Sequence, residues 1–320
     1  MSETNPVTAE NKNLLLKHML SPGDVLVLTA AVESLMKQYP NQYRVLVETT
    51  CSEIWQNNPH IGNCQKKDCQ TIQMHYPNIH KSHMIGTGHF MKAFCDYLGE
   101  QLKIPLILQV NKPHLYLSAE EQKDRLISCD YIVVNAGVKM DYTCKGWGHN
   151  NYQEVVDLLR DKKFNIVQIG EKHHRHKPLR GVINLLGKTK PRELFSLCYH
   201  SQGGIGGVTF LQHIMASLEK PYVCLLGGRE PATWIWYPSQ TILSTQGQLP
   251  CCKPNACWKS RVVPLKDGDS KDQSLCKMPV NKNGEMIPKC MEMISPYEVV
   301  NALLKYVEGG IIPLSLPMSS

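Results

Sequence analysis

Apolar positions along the chain follow two rhythms. Short unbroken apolar runs stop at glycine or a polar pair, and between them lie longer stretches where apolar residues return every third or fourth position. That is the pattern of buried strands alternating with amphipathic helices. Tyr43–Val47, Ile104–Val110, Leu115–Leu117, Tyr131–Asn135, Asn165–Ile169, Val182–Leu186 and Tyr222–Leu226 read as strands. Phe90–Leu102, Tyr152–Arg160, Pro191–Tyr199 and Pro296–Val307 read as helices, and Ser118 starts another with Glu121 three residues on. The first residues predict a short helix around Asn13–Leu20. Ser21-Pro22-Gly23-Asp24 then leads into Val25–Ala31 and a helical pattern through Leu35, Met36 and Tyr39 that ends at Pro40.

Two α/β halves result, each with functional residue types just after its strands, where open α/β sheets bind ligands. Residues 1–125 form the first and 126–307 the second, followed by a tail over 308–320 that reads as mobile. The densest signal is Gly203–Gly228. It predicts a glycine-rich turn with Gly206 and Gly207 at its end, a helix starting at Thr209 with His213 one turn in, and a strand that stops at Gly227-Gly228. Free N–H groups in the first turn of such a helix favour an anion, and a diphosphate fits there.

The rhythm fails over 246–292, which is rich in Cys, Pro, Lys, Asp and Gly. Five of the thirteen cysteines fall here, Cys251, Cys252, Cys257, Cys276 and Cys290, and a segment of this length without regular structure needs a staple. Thiols of this number suit one tetrahedral structural metal, with one of the adjacent pair Cys251 and Cys252 left over. Softness permits zinc or iron. The other eight cysteines are scattered and read as small buried hydrophobes.

Composition narrows the class. At 320 residues and 42% hydrophobic, the chain suffices for two α/β domains of ordinary size. It has neither a long apolar span nor a charged-then-apolar leader, which points to the cytoplasm. A net charge of +7 without a basic stripe suits an anionic substrate or peripheral contact with an anionic membrane, and does not indicate nucleic acid. Gly187-Lys188-Thr189 imitates a Walker loop, but Gly181 stands at the wrong spacing and apolar strand lies between. The run His173-His174-Arg175-His176 reads as a solvated basic loop near a phosphate, and the histidines at 75, 80, 83 and 89 lack a carboxylate at ligand spacing.

Several of these pieces, in order, carry a resemblance. Pro22-Gly23-Asp24 before an apolar helix, Lys145-Gly146-Trp147, Gly170-Glu171, Gly187-Lys188-Thr189 with Arg192-Glu193-Leu194, and Val208-Thr209 with His213 before Lys220-Pro221 together resemble the family 9 glycosyltransferases, the ADP-heptose heptosyltransferases. Gly228-Arg229-Glu230-Pro231 and the cysteine-rich insert resemble the autotransporter heptosyltransferase branch, whose insert holds iron. The resemblance covers about residues 20–307.

It implies a GT-B fold of two Rossmann-like domains, with acceptor on the N-terminal side, nucleotide-sugar on the C-terminal side and no catalytic metal. It implies Asp24 as general base, Lys145 and Thr209 with Gly206 and Gly207 at the donor diphosphate, and Glu171 on the ribose. Lys188, Thr189 and Arg229 are further donor-site candidates, and His89 is placed on the acceptor side. Cys252 or Cys251, with Cys257, Cys276 and Cys290, would hold a structural iron or zinc. The implied partners are an ADP-sugar donor, a saccharide or protein hydroxyl as acceptor, and further copies of the chain. Two alternatives stay open: a UDP- or GDP-sugar donor, and a metal-stapled binding module without enzymatic activity. Helix capping is an alternative role for Asp24. Val208 stands where many family members carry aspartate, and the N-terminus, shorter here than in the autotransporter branch, leads us to expect none of the acceptor docking that branch would place there.

Overall fold

The computed structural model describes residues 12–77, 88–172, 174, 176–253 and 256–310. His80, His83, His173, Arg175 and the end of the tail lie outside them. The chain divides into two compact units, one from within Met1–Ile79 and Phe90–Tyr116, the other from within His80–His89 and Leu117–Ser320.

The first unit opens with β1 (Lys12–His18), α1 (Pro22–Gln38), β2 (Tyr43–Thr49), β3 (Gln70–Gln73) and α2 (Phe90–Leu102). Its strands form a parallel sheet in the order β2-β1-β3. Thus Asn13–Leu20 is no helix. Leu14, Leu15 and Leu16 are all buried because β1 is the central strand, and such a strand shows a continuous apolar run without alternation. Val25–Ala31 belongs to α1, which is buried along most of its length. The expected strands at Ile104–Val110 and Leu115–Leu117 are also absent. Here the backbone N–H groups find side chains of α1: Ile107 N–H donates to Gln38 Oε1 at 2.9 Å, Gln109 N–H to Ser34 Oγ at 3.0 Å and His114 N–H to Thr29 Oγ1 at 2.8 Å. That satisfies the donors without a sheet partner.

The second unit runs α3 (Ala119–Lys123), β4 (Tyr131–Asn135), α4 (His149–Asp161), β5 (Asn165–Gln168), β6 (Ile183–Asn184), α5 (Pro191–His200), β7 (Gly203–Gly207), α6 (Phe210–Ser217), β8 (Tyr222–Gly227), α7 (Ala232–Ile235), β9 (Gln240–Ser244), β10 (Pro279–Lys282), β11 (Glu285–Pro288), α8 (Lys289–Glu292) and α9 (Pro296–Val307). Strands β4 to β9 make one parallel sheet in the order β6-β5-β4-β7-β8-β9, the doubly wound arrangement whose strand order reverses between β4 and β7. One face is covered by α4 and α9, whose Val155, Val156, Leu159, Val299, Val300 and Leu303 pack on Ile132, Val134, Ile205 and Val223. Among the described residues, no helix is long and apolar enough to cross a membrane.

Gly203–Gly207 is therefore a buried strand and not a turn. Its glycines make room for Tyr222 on the neighbouring strand, whose hydroxyl donates to the Gly207 carbonyl at 2.9 Å. A Cβ on Gly206 would lie 2.6 Å from Tyr222 Oη and 3.1 Å from the Asn135 carbonyl, whereas one on Gly207 would meet nothing closer than 3.5 Å. Gly206→Ala is accordingly expected to destabilise the fold by about 1–3 kcal/mol and Gly207→Ala by under about 1 kcal/mol, measured by urea denaturation.

The cysteine-rich insert also has structure. Asn283 and Gly284, with φ of 52° and 84°, turn an antiparallel hairpin between β10 and β11. Asn-Gly is a strong hairpin signal because both central residues must take positive φ. Buried Arg261 organises the preceding loop, with Nη1 at 2.7 Å from Asp267 Oδ1 and 2.6 Å from Asp272 Oδ1. The insert is tied to the segments that follow β4 and β8. Cys144 N–H donates to Ser260 O at 3.1 Å and Val262 N–H to Thr143 Oγ1 at 2.9 Å, while Cys257 N–H donates to Gly228 O at 3.2 Å.

Candidate active site

In the second unit the strand order reverses between β4 and β7, the point outside whose strand ends open α/β sheets have their ligand crevice. Lys145 closes a short 3-10 segment, Met140–Lys145, after β4, and Thr209 follows β7. The sheet thus brings together two residues far apart in sequence: Lys145 Nζ donates to the Val208 carbonyl at 3.3 Å. Thr209 occupies the N-cap position of α6, but its side chain makes no capping bond. Gln212 N–H donates to the Thr209 carbonyl at 3.1 Å, so it is the amides of Phe210 and Leu211, ahead of it in the first turn, that favour an incoming anion.

Lys145 is paired. Its ammonium lies 2.8 Å from Glu230 Oε1, and the same carboxylate oxygen contacts Arg229 Nη1. Glu230 is buried, which alone would raise its pKa; Lys145 and Arg229 outweigh that and hold it below the usual carboxylate range. Arg229 is buried too. Its guanidinium lies 5.0 Å from the Tyr142 ring centroid and 5.8 Å from that of Trp258, and its Nε donates to the Lys259 carbonyl at 2.7 Å. Arg229 thus anchors the cysteine-rich insert. His213, one turn into α6, is buried with Nδ1 2.8 Å from the Tyr237 hydroxyl, and burial with nearby Lys145 pushes its pKa down to about 3. It is neutral at physiological pH.

Glu171 follows β5 and is exposed. Its loop is joined to the one bearing Lys188 and Thr189, since Gly187 N–H donates to Gly170 O at 2.8 Å. Lys188 is exposed and donates to the Asn184 carbonyl at 3.0 Å. His176 departs from the expected solvated loop. Its ring is half-buried over the ends of β4 and β5, where a Cβ on Gly137 or Gly170 would lie within 2.3 Å of it. Burial pushes its pKa down to about 4. His89, expected on the acceptor side, belongs to the second unit. Its Nε2 is 2.7 Å from the Trp236 carbonyl, and burial pushes its pKa down to about 4.

In the first unit, Asp24 sits in the opening turn of α1, beyond the end of β1. One carboxylate oxygen accepts Ser21 N–H at 3.1 Å, which is helix capping, and the other accepts the Tyr76 hydroxyl at 3.2 Å. His18, at the end of β1, feels the Asp24 charge, but burial dominates and lowers its pKa. Sequence reasoning gave no role to His18 or Tyr76, which fall in no spacing pattern, nor to Glu230, although it lies in the Gly228-Arg229-Glu230-Pro231 motif.

Cys251, Cys252, Cys257, Cys276 and Cys290 all line one enclosed space of about 10 Å³. Cys144 joins them, although its place in the sequence suggests only a buried small residue, and its thiol is hydrogen-bonded to that of Cys276. Among the described residues, no three His, Cys, Asp or Glu side chains are gathered closely enough to form a metal cage. The donor set nevertheless fits a metal. Soft sulfurs are the donor type that suits zinc or iron, and Gly247 N–H already donates to Cys252 Sγ at 3.2 Å, as backbone amides do to ligating thiolates.

The doubly wound sheet and the α/β unit before it give the chain the GT-B fold. The model of glycosyltransferase family 9 (heptosyltransferase) matches residues 76–259, and the chain belongs to that family. No curated protein matches it in sequence. Three solved structures share its fold. The iron-containing dodecameric heptosyltransferase TibC of enterotoxigenic E. coli, in complex with ADP-D-beta-D-heptose, is 16% identical with a TM-score of 0.67 over 94% of this chain and 77% of that one. A family 9 glycosyltransferase from Veillonella parvula is 14% identical, with a TM-score of 0.62 over 96% of this chain and 100% of its own. The ADP-heptose lipopolysaccharide heptosyltransferase II of E. coli is 14% identical, with a TM-score of 0.57 over 92% and 99% of the two chains.

Proposed function

We propose that the enzyme transfers a heptose from an ADP-sugar to an acceptor hydroxyl with inversion. The acceptor oxygen attacks the anomeric carbon as the bond to the diphosphate breaks, ADP leaves, and Asp24 takes the hydroxyl proton. Lys145 and the first turn of α6 at Thr209 stabilise the charge that grows on ADP, and Glu171 holds the ribose, with Lys188 and Thr189 beside it. The observation that carries this reading is the approach of Lys145 to Val208 across the switch point, which sets a cation beside an uncapped helix start. The ADP-sugars bound or used by the fold's solved relatives support the choice of donor. ADP release from ADP-heptose tests it, with UDP- and GDP-sugars as competitors. Release from a UDP- or GDP-sugar instead would keep the fold and change the donor.

The cysteine cavity supports a structural metal held by Cys257, Cys276, Cys290 and Cys252, or Cys251 in its place, and TibC's iron favours iron over zinc. When bound, the ion would cross-link the insert. Cys276→Ser is expected to weaken metal binding by more than the roughly 10–100-fold that loss of an outer-shell partner costs. Metal analysis after dialysis against a graded chelator measures this; a variant that retains metal like the wild type rules Cys276 out as a ligand. TibC's dodecameric state supports assembly of this chain into an oligomer.

A further inference from the structure

Glu230 is a buried acid in the donor crevice, and nothing in the transfer chemistry above uses it. Its carboxylate bridges two cations of different character. Arg229 is fixed by the Tyr142 and Trp258 rings and by the Lys259 carbonyl. Lys145 ends the 3-10 segment with its ammonium 5.8 Å from the Tyr142 ring centroid, and its side chain is partly exposed where that of Arg229 is buried. The side chain of Lys145 is 21% exposed and that of Glu230 only 7%, so a ligand entering the crevice reaches the lysine while the carboxylate stays behind it. The second contact of Lys145, to Val208 O at 3.3 Å, points the ammonium toward the start of α6.

We propose that Glu230 is the resident counter-ion of the donor site: it holds Lys145 at the switch point and competes with the donor's diphosphate for it. This rests on the reading of Lys145 as the diphosphate-binding lysine. Bound ADP draws the ammonium from Glu230, and Arg229 stays as the partner that keeps the carboxylate ionised. Glu230 thereby weakens the grip on ADP, which favours its release after transfer. It is a positioning residue that acts through Lys145.

The test is ADP affinity, titrated calorimetrically with inorganic pyrophosphate as a second probe, for the metal-replete full chain. Glu230→Gln keeps shape and hydrogen-bonding capacity but removes the competing charge. It should tighten ADP and pyrophosphate binding by about tenfold, within the range of ordinary site–site coupling. In a Lys145→Met background the same change should have less than about a threefold effect, because the lysine that Glu230 restrains is gone. Unchanged or weaker binding in folded Glu230→Gln would overturn the proposal and make the carboxylate a structural brace. A gain that persists without Lys145 would overturn it too, since Glu230 would then repel the nucleotide directly. If Glu230→Gln does not fold, Glu230→Asp decides: its shorter carboxylate cannot bridge both cations, and it should also bind ADP more tightly. Wild type that binds no ADP, or Lys145→Met that binds it undiminished, brings down the donor-site reading itself. Loss of affinity in Lys145→Met with no gain in Glu230→Gln brings down only the counter-ion.

Discussion

Lys145→Ala should lower the rate of ADP release from ADP-heptose by about 10²–10³-fold, the usual cost of removing one preorganised group that stabilises transition-state charge. An ADP-sugar transferase must stabilise a departing diphosphate, and the basic residues near the β4–β7 switch point differ in what they can offer it. Arg229 is held by Tyr142, Trp258, Lys259 and Glu230. His213 is neutral, its pKa pushed down to about 3 by burial and by Lys145. Lys145 alone of these three reaches both the Val208 carbonyl and the crevice mouth. The fold should survive, because Arg229 still pairs with Glu230 and no buried carboxylate is left uncompensated. A melting temperature close to wild type, together with the lost rate, would assign the defect to chemistry. A rate within about threefold of wild type would remove Lys145 from the donor site.

Asp24→Asn should reduce transfer by about 10²–10⁴-fold, the span of a general base. The substitution separates the two roles open to this residue. Asparagine keeps one acceptor oxygen, which can still take Ser21 N–H, while its amide can donate to the Tyr76 oxygen once that hydroxyl turns, so the start of α1 keeps its cap and stability should change by no more than about 1 kcal/mol. An asparagine amide cannot take a proton from an acceptor. Loss of transfer with an unchanged melt identifies the base. Full activity in the variant would leave helix capping as the whole role of Asp24.

Much of the second unit was legible because its strands are apolar runs closed by glycine and its helices have strong periodicity. Tyr131–Asn135 and Pro296–Val307 form with those very boundaries. The misreadings have physical causes. A central strand such as β1 loses its alternation when both faces are covered, so Leu14-Leu15-Leu16 carries no period. Strand β7 is mostly glycine, and its reason for being a strand lies on β8, in the Tyr222 phenol that needs the space. The hairpin at Asn283-Gly284 was there to be read, but lay inside a segment whose composition suggested no regular structure.

The site divides the same way. Lys145 and Thr209 sit in motifs because backbone turns at strand ends constrain them. Glu230, Tyr76 and Cys144 act through contacts with residues distant in sequence, 85 positions from Lys145 in the case of Glu230 and 52 from Asp24 in the case of Tyr76, and no local spacing encodes such a pairing. His89 likewise makes its Nε2 contact with a residue far away in sequence, the Trp236 carbonyl, which no local spacing encodes.

The measurement that bears most directly on the central claim is the thermal stability of the metal-replete protein with ADP, ADP-heptose, UDP and GDP, each titrated to saturation. At about 100 times its dissociation constant a ligand that binds only the native state adds roughly 2.7 kcal/mol of stability, readily seen as a shift in Tm. An ADP-sugar transferase predicts that ADP and ADP-heptose raise the Tm at concentrations where UDP and GDP do not. A larger shift with UDP or GDP, or none with any nucleotide, would contradict it.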